Sequence, residues 1–427
     1  MRQPTNIRRL GRSNRRAFLG RSLGTTLGTS LGLTAATSPA LLPAGGFFAG
    51  GDDLLRVGLI GCGGRGTGAA LQAAAADPGV RITVVGDLFA DQLDSSCRML
   101  ATGIPTQFDC PAERRFIGAD AYRSVIEAGI DVVLLAAPPH VRPLHVEAAV
   151  RAGKHLYCEK PVAIDAPGAR RVADACRLAR AARLSIVSGL CFRRDAATVE
   201  AVARIQDGGI GRPLAARACA EIGLPWRRPA AAGTAGRIAD EWQLRNWISF
   251  QRFSGGPFVE HHIHAIDRAV WALGDDVPVS AVGRRLPVHP DAWSLGDCLA
   301  GVSATYAFAD GRSLEAACRR AQRPASEVGP YGIEETVIGT VATFDLLRPI
   351  SSPAGHEAGS RAGRGSVANP YQAGMSDLVR AVRTGAHVDD GPVMCRSTMM
   401  AIMGREAAES GRRVTWEEIA GSGSRLA

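Results

Sequence analysis

The chain has 427 residues, 46% hydrophobic and 21% charged, which excludes a disordered polyelectrolyte and leaves room for a leader and two domains. Its formal charge of +9 falls unevenly: residues 1–50 hold seven Arg and no acid, so the remainder carries 9 − 7 = +2. A body this close to neutrality offers no basis for a polyanion partner, and no nucleic-acid ligand is expected.

The basic start runs through Ser13-Asn14-Arg15-Arg16-Ala17-Phe18-Leu19 into a weakly apolar stretch of Gly, Thr and Leu. Paired arginines ahead of such a stretch resemble a twin-arginine export signal; a disordered basic tail is the plainer alternative. The stretch is too polar for a membrane span, which needs about 20 mostly apolar residues, so no stable anchor is expected after signal removal. On this reading 1–50 is a signal and linker, and the mature protein is periplasmic or otherwise extracytoplasmic. Ten Cys, with no CxxC pair, sit mostly in apolar runs and read as small buried hydrophobes.

From residue 54 the pattern is strand (54–60), glycine loop (61–68), Ala-rich helix to 76, and a second strand (80–85) ending at Gly86-Asp87. A helix over 122–128, a Val/Leu strand over 131–136, a helix over 144–152, a strand over 155–158, a helix over 167–182 and a strand over 185–187 follow. Strands alternating with helices predict an α/β fold, a Rossmann doubly wound parallel sheet occupying 51–188. Beyond 189 the strands lengthen (281–288, 300–308, 313–317, 336–344, with turns at Asp310-Gly311 and Gly339), predicting an α+β domain with a mostly antiparallel, open-faced sheet over 189–427. Residues 351–366 are poor in hydrophobics and read as a mobile loop; helices over 375–384 and 395–410 close the chain.

Gly61-Cys62-Gly63-Gly64-Arg65-Gly66 matches G-x-G-x-x-G between a strand and a helix, and Asp87 ends the next strand, 21 residues past Gly66. That context is what a dinucleotide site requires: glycines let backbone N–H groups approach a pyrophosphate at a helix N-terminus, and the acid accepts from the adenosine ribose. Asp87 would repel a 2′-phosphate and favours NAD, while neighbouring Arg65 leaves NADP open. The only lysines are Lys154 and Lys160, against 48 Arg. A chain that uses Arg almost wherever a cation serves keeps Lys160, in Glu159-Lys160-Pro161 after a predicted strand, for something Arg cannot do, such as giving up a proton. A surface ion pair of Glu159 with Lys160 is the alternative.

The Gly61 loop, Ala136-Ala137-Pro138-Pro139-His140, Gly153-Lys154-His155 and Glu159-Lys160-Pro161 together resemble the Gfo/Idh/MocA oxidoreductases, with similarity extending through 255–267 and 369–418. The resemblance implies an NAD(P)-dependent oxidoreductase acting on a secondary alcohol of a sugar, glycoside or cyclitol, with its site between the two domains. It implies Pro138, His140, Glu159 and Lys160 at the cofactor and a homo-oligomer built through the second sheet. The exported branch of the family is the closest match.

Gly255 to Asp267 holds His261, His262 and His264. A helix from Glu260 would bring Glu260 and His264 to one face, and imidazole suits removal of a hydroxyl proton. The resemblance places the catalytic acid/base on His264 and a substrate-positioning acid on Glu260, where the family has Asp; Asp267 matches a further acid that caps or orients the helix. A metal site from Glu260, His264 and His261 or His262 is a competing reading, as is a structural cluster. Arg193 and Arg194 match a basic position that faces the site in relatives, His261 is a further substrate candidate, and Trp242, Arg245 and Asn246 have the makeup of a carbohydrate surface or of core packing. No metal is called. Redox-neutral glycoside cleavage or epimerisation by transient oxidation, and a non-catalytic NAD-bound sugar-binding protein, stay open beside the dehydrogenase.

Overall fold

This computed structural model of the protein describes residues 53–228, 238–287, 296–320, 333–347 and 369–426; the leader and the 351–366 loop lie outside them. The first part of the chain runs β1 (Leu55–Ile60), α1 (Gly64–Ala76), β2 (Val80–Asp87), α2 (Ala90–Gly103), β3 (Arg115–Ile117), α3 (Ala121–Glu127), β4 (Val132–Leu135), α4 (Arg142–Arg151), β5 (His155–Cys158), α5 (Ala166–Ala181) and β6 (Ile186–Ser188). Its strands pair in parallel in the order β3-β2-β1-β4-β5-β6. With helices on both faces, Leu55, Leu59, Val133 and Leu134 are fully buried, which is why these strands read as continuous apolar runs. The strand order reverses between β1 and β4, so the loops leaving their carboxyl ends splay apart and open a crevice.

Next come α6 (Ala196–Gln206), β7 (Pro213–Ile222), α7 (Ile238–Arg245), α8 (Gln251–Ser254), α9 (Pro257–Glu260), α10 (Ile263–Ala272), β8 (Ser280–Arg285), β9 (Gly301–Ala307), β10 (Ser313–Arg320), β11 (Ile333–Gly339) and β12 (Thr343–Asp345). The chain then runs α11 (Pro370–Thr384), α12 (Gly391–Ser410), β13 (Val414–Thr415) and α13 (Trp416–Gly421). The second sheet has the order β12-β11-β7-β10-β9-β8-β13, antiparallel except for β7 with β10. Along β10, Leu314, Ala316 and Cys318 point under the helices, at 0–1% exposure. Glu315 points to the open face, where Arg217 pairs with it and with Glu334, each at 3.1 Å.

Several expectations need correcting. The strand β7, at the centre of the second sheet, was not predicted: its Ala-rich sequence has a single β-branched residue, Ile222, at its end. The 336–344 run divides into β11 and β12 at the expected turn, Gly339, whose N–H bonds Ala342 O at 2.9 Å, and it begins earlier than expected, at Ile333. One helix of the tail, α11, does not stay with the second domain. Met375, Leu378, Val379 and Val382 form one stripe of α11, and they bury with Leu55, Leu59, Ile82 and Val85 of the first sheet, beside α1. The helix expected from Glu260 is broken into α9 and α10. His261 N and His262 N both bond Pro257 O, while the buried His262 ring meets Ala218 O of β7 at 2.8 Å and fixes the corner.

Candidate active site

The crevice between β1 and β4 is a cavity of about 730 Å³ lined by Gly61, Gly63, Gly64, Arg65, Gly66, Asp87, Pro138 and His140, among others. The glycines divide the work. Gly61 has φ +95°, and a side chain there would run into the Ala137 backbone; one on Gly66 would overlap the Gly61 carbonyl. Gly63 and Gly64 have nothing within 4 Å of a Cβ position, so they face open space, and α1 starts there without a side-chain cap. Uncapped N–H groups above bare glycine suit a pyrophosphate. Asp87 accepts from Cys62 N at 2.6 Å and Phe89 N at 2.8 Å, which holds its carboxylate at the groove with lone pairs to spare. Burial pushes this carboxyl up, against the pull of those backbone bonds.

The groove residues thus fit a dinucleotide with its adenosine end at Asp87. Replacing Asp87 with Ala is expected to weaken NAD by roughly tenfold or more, as for a lost charge-assisted hydrogen bond, and to raise NADP relative to NAD. Equilibrium binding of both nucleotides checks this; an unchanged preference places the ribose elsewhere.

The second domain reaches over this end. Trp226, Arg227, Arg228, Leu244, Arg245 and Trp247 line the cavity opposite the glycine loop. Arg245 grips Asp91 at the start of α2 with two bonds of 3.0 Å and lies 4.0 Å above the Phe89 ring. Asn246, fully buried, holds the strap: its amide accepts from Arg228 N at 2.8 Å and donates to Trp242 O at 2.9 Å, while Trp242 Nε1 donates to Arg228 O at 3.1 Å. Trp242, Arg245 and Asn246, expected to contact substrate, therefore build a bridge over the nucleotide groove. The Arg245–Asp91 pair is partly exposed, so its contribution is about 1 kcal/mol at most. Arg245→Ala is expected to speed NAD dissociation about two- to fivefold, with the exchanged pair Asp91→Arg, Arg245→Asp restoring part of it; stopped-flow displacement reads this, and an unchanged rate removes the bridge from nucleotide binding.

Lys160 follows β5, the strand beside β4, and its peptide to Pro161 is cis. Its Nζ donates to Glu260 Oε1 at 3.1 Å and to the Glu260 carbonyl, so the end of α9 docks on the end of β5. Burial would raise the Glu260 carboxyl, but the Lys160 ammonium and His261 prevail and hold it below the usual range. His264, in the first turn of α10, stands edge-on to Phe192 at 5.3 Å, and its Nδ1 is buried without a partner. Burial, together with the charges of Lys160 and Arg268, depresses this imidazole well below its ordinary value. A neutral ring with an unmet nitrogen beside an ammonium is arranged to accept a hydroxyl proton.

Other expected site residues have different work. The three histidines diverge: His261 is exposed beside Glu260, His262 is buried against β7, and His264 turns to Phe192. Among the described residues no group of three His, Cys, Asp or Glu side chains is placed to hold a metal ion. Arg193 does not face a substrate: it forks onto Asp267 (2.9 Å) and Asp275 (2.8 Å), pinning α10, and Asp267 also accepts from Ser397. Arg194 likewise clamps Asp377 and Asp390. Glu159 lies behind the groove, 4% exposed, accepting from Tyr157 and pairing with Arg65 at 3.4 Å, so it anchors Arg65 and does not line the groove. Arg142, 3% exposed, was missed; it bonds the carbonyls of Ala137 and Pro161 and so ties the groove to the Lys160 loop. Its place in a helical stripe among Pro143, Val146 and Val150 was the available signal.

Residues 55–185 match the Gfo/Idh/MocA family, described as an oxidoreductase family with an NAD-binding Rossmann fold. The chain is 28% identical over 163 residues to an inositol 2-dehydrogenase of Klebsiella pneumoniae and 35% identical over 164 residues to inositol 2-dehydrogenase 3 of Saccharopolyspora erythraea. Each match covers 38% of this chain and spans 44% of the relative's length. A solved structure of scyllo-inositol dehydrogenase from Lactobacillus casei, with NAD(H) and scyllo-inositol bound, shares the fold over 85% of this chain and 99% of its own, at 17% identity and a TM-score of 0.62. With the glycine loop, Asp87 and the strand reversal in place, residues 55–185 are similar to the NAD-binding Rossmann domain of the Gfo/Idh/MocA family.

Proposed function

We propose that the protein is an NAD-dependent oxidoreductase acting on a secondary alcohol of a sugar or cyclitol. The observation that carries this is His264: a half-buried imidazole held neutral, with a buried and unpartnered Nδ1, under the influence of a Lys160–Glu260 pair whose loop Arg142 ties to a groove built for a dinucleotide. NAD, when bound, supplies the acceptor for the carbinol hydrogen. His264 takes the hydroxyl proton, Lys160 stabilises the oxygen as it loses that proton, and Glu260 fixes the ammonium in place. The inositol dehydrogenases among the relatives support a polyol substrate class. The test is to add NAD and a panel of cyclitols, aldoses and glycosides to the purified chain and follow nicotinamide reduction; no reduction with any of them sinks the reading.

The same proton step opens a redox-neutral cleavage or epimerisation, and the bridge over the adenosine end gives that second reading its support, because it favours a nucleotide that stays bound between turnovers. The Arg-rich leader extends the proposal to export of the folded, nucleotide-loaded protein, testable by fractionating cells that carry the chain with and without Arg15 and Arg16. On the second sheet, Leu214, Val282 and Ile338 are exposed at 36–42%, and this open face is the proposed self-association surface.

A further inference from the structure

Strand β10 ends on a charge that meets no carboxylate among the described residues. Leu314, Ala316, Cys318 and Arg320 form one alternating row on the helix-covered face, and the first three pack as a dry surface. Arg320 continues that row at 9% exposure, on the strand against which α9, the helix ending in Glu260, is packed. Its guanidinium makes one hydrogen bond among the described residues, Nη1 to Gly223 O at 3.3 Å, and faces no carboxylate within ion-pair distance. The other buried or half-buried arginines are better provided for. Arg193, Arg194, Arg268 and Arg396 each meet a carboxylate, and Arg142 and Arg405 each reach two main-chain carbonyls.

The position of the charge matters as much as its isolation. Arg320 acts on both Glu260 and His261, so it stands at the site's edge. Glu260 already neutralises Lys160, and burial keeps His264 uncharged. The described part of the site therefore carries one uncompensated positive charge. A guanidinium at 9% exposure that spends one donor on a main-chain carbonyl has others left for a ligand, and its planar fork matches a carboxylate.

We propose that Arg320 receives a carboxylate on the substrate, so that the polyol taken by this site is an acidic sugar of the uronate type. This rests on the functional reading above and narrows its substrate class. The reacting carbinol lies at His264 and Lys160, and the carboxylate lies on the β10 side of Glu260.

The experiment uses the full chain loaded with NAD. Calorimetry measures binding of glucuronate, galacturonate and mannuronate, each against its neutral parent hexose and the corresponding hexose 6-phosphate, while absorbance follows nicotinamide reduction separately. A charge-assisted pair predicts that at least one uronate binds roughly tenfold or more tightly than its parent. In Arg320→Gln that ratio is expected to collapse towards one, and Arg320→Lys, which keeps charge but loses the fork, is expected to fall between. The wild-type ratios decide the matter even if a variant fails to fold. No preference for any uronate, a preference that survives Arg320→Gln, or tighter binding of the phosphate esters each overturns the proposal. The two readings part cleanly. An Arg320-dependent uronate preference without reduction of nicotinamide by any sugar upholds the anion site and removes the dehydrogenase. Reduction by neutral polyols with no uronate preference does the reverse.

Discussion

Lys160→Arg is expected to lower turnover by roughly 10²–10⁴-fold while the protein folds and binds NAD as before. The substitution keeps a positive charge, so an electrostatic tether alone would survive it. What it removes is a compact ammonium able to share a proton. Lys160 Nζ sits in a narrow space, 12% exposed, between the Glu260 carboxylate and the Glu260 carbonyl. A guanidinium is wider, its fork is rigid, and it holds its proton at any working pH. Arg in this place would pair with Glu260 and stop there. Single-turnover kinetics with measured nucleotide occupancy checks this, and melting curves report the fold. Turnover within a few-fold of the parent would reduce Lys160 to a strut between β5 and α9.

His264→Ala is expected to cost a similar factor in kcat, far more than His261→Ala. The two differ in surroundings: His261 is exposed at the end of α9, whereas His264 carries a buried nitrogen with no partner. His262 is a poor control, because its ring bonds Ala218 O in the core and its loss would disturb the corner between α9 and α10. The depressed pKa of His264 fixes the sign of the pH dependence. A base must be neutral to accept a proton, so activity should persist below the ordinary imidazole range, about pH 6.5, and fall only as His264 itself protonates. A rate profile that drops at the ordinary imidazole value, or equal losses from His261→Ala and His264→Ala, would take the base role away from His264.

The first domain was more legible in the sequence than the second, for a physical reason. Parallel strands buried on both faces must be continuous apolar runs, so 155–158 and 131–136 stand out, and the glycine loop announces itself through positions where any side chain collides. In the second sheet one face is open and polar, and β7 alternates alanine with Arg217, Cys219 and Glu221, which signals little by itself. The nucleotide glycines and Asp87 were readable because local geometry demands those residue types. For Trp242, Arg245 and Asn246 the sequence left a carbohydrate surface and core packing open, because composition shows that a segment can bind hydroxyls, not which cavity it overhangs. Arg193 was misassigned for a related reason: its partners Asp267 and Asp275 lie 74 and 82 residues away along the chain. Glu260 and His264 do reach one region, though through a broken helix and a contact with Lys160 a hundred residues earlier.

The most direct measurement of the central claim is the fate of the carbinol hydrogen. The NAD-loaded protein is given a polyol deuterated at its secondary carbinol carbons, and the nucleotide is recovered and weighed by mass spectrometry. The account predicts that deuterium appears on the nicotinamide ring, and that His264→Ala and Lys160→Arg suppress its appearance without reducing the amount of nucleotide recovered. Bound nucleotide that stays free of deuterium across a broad panel of sugars, cyclitols and uronates would contradict it, and would leave a protein that holds NAD beside a polyol site without oxidising what it binds.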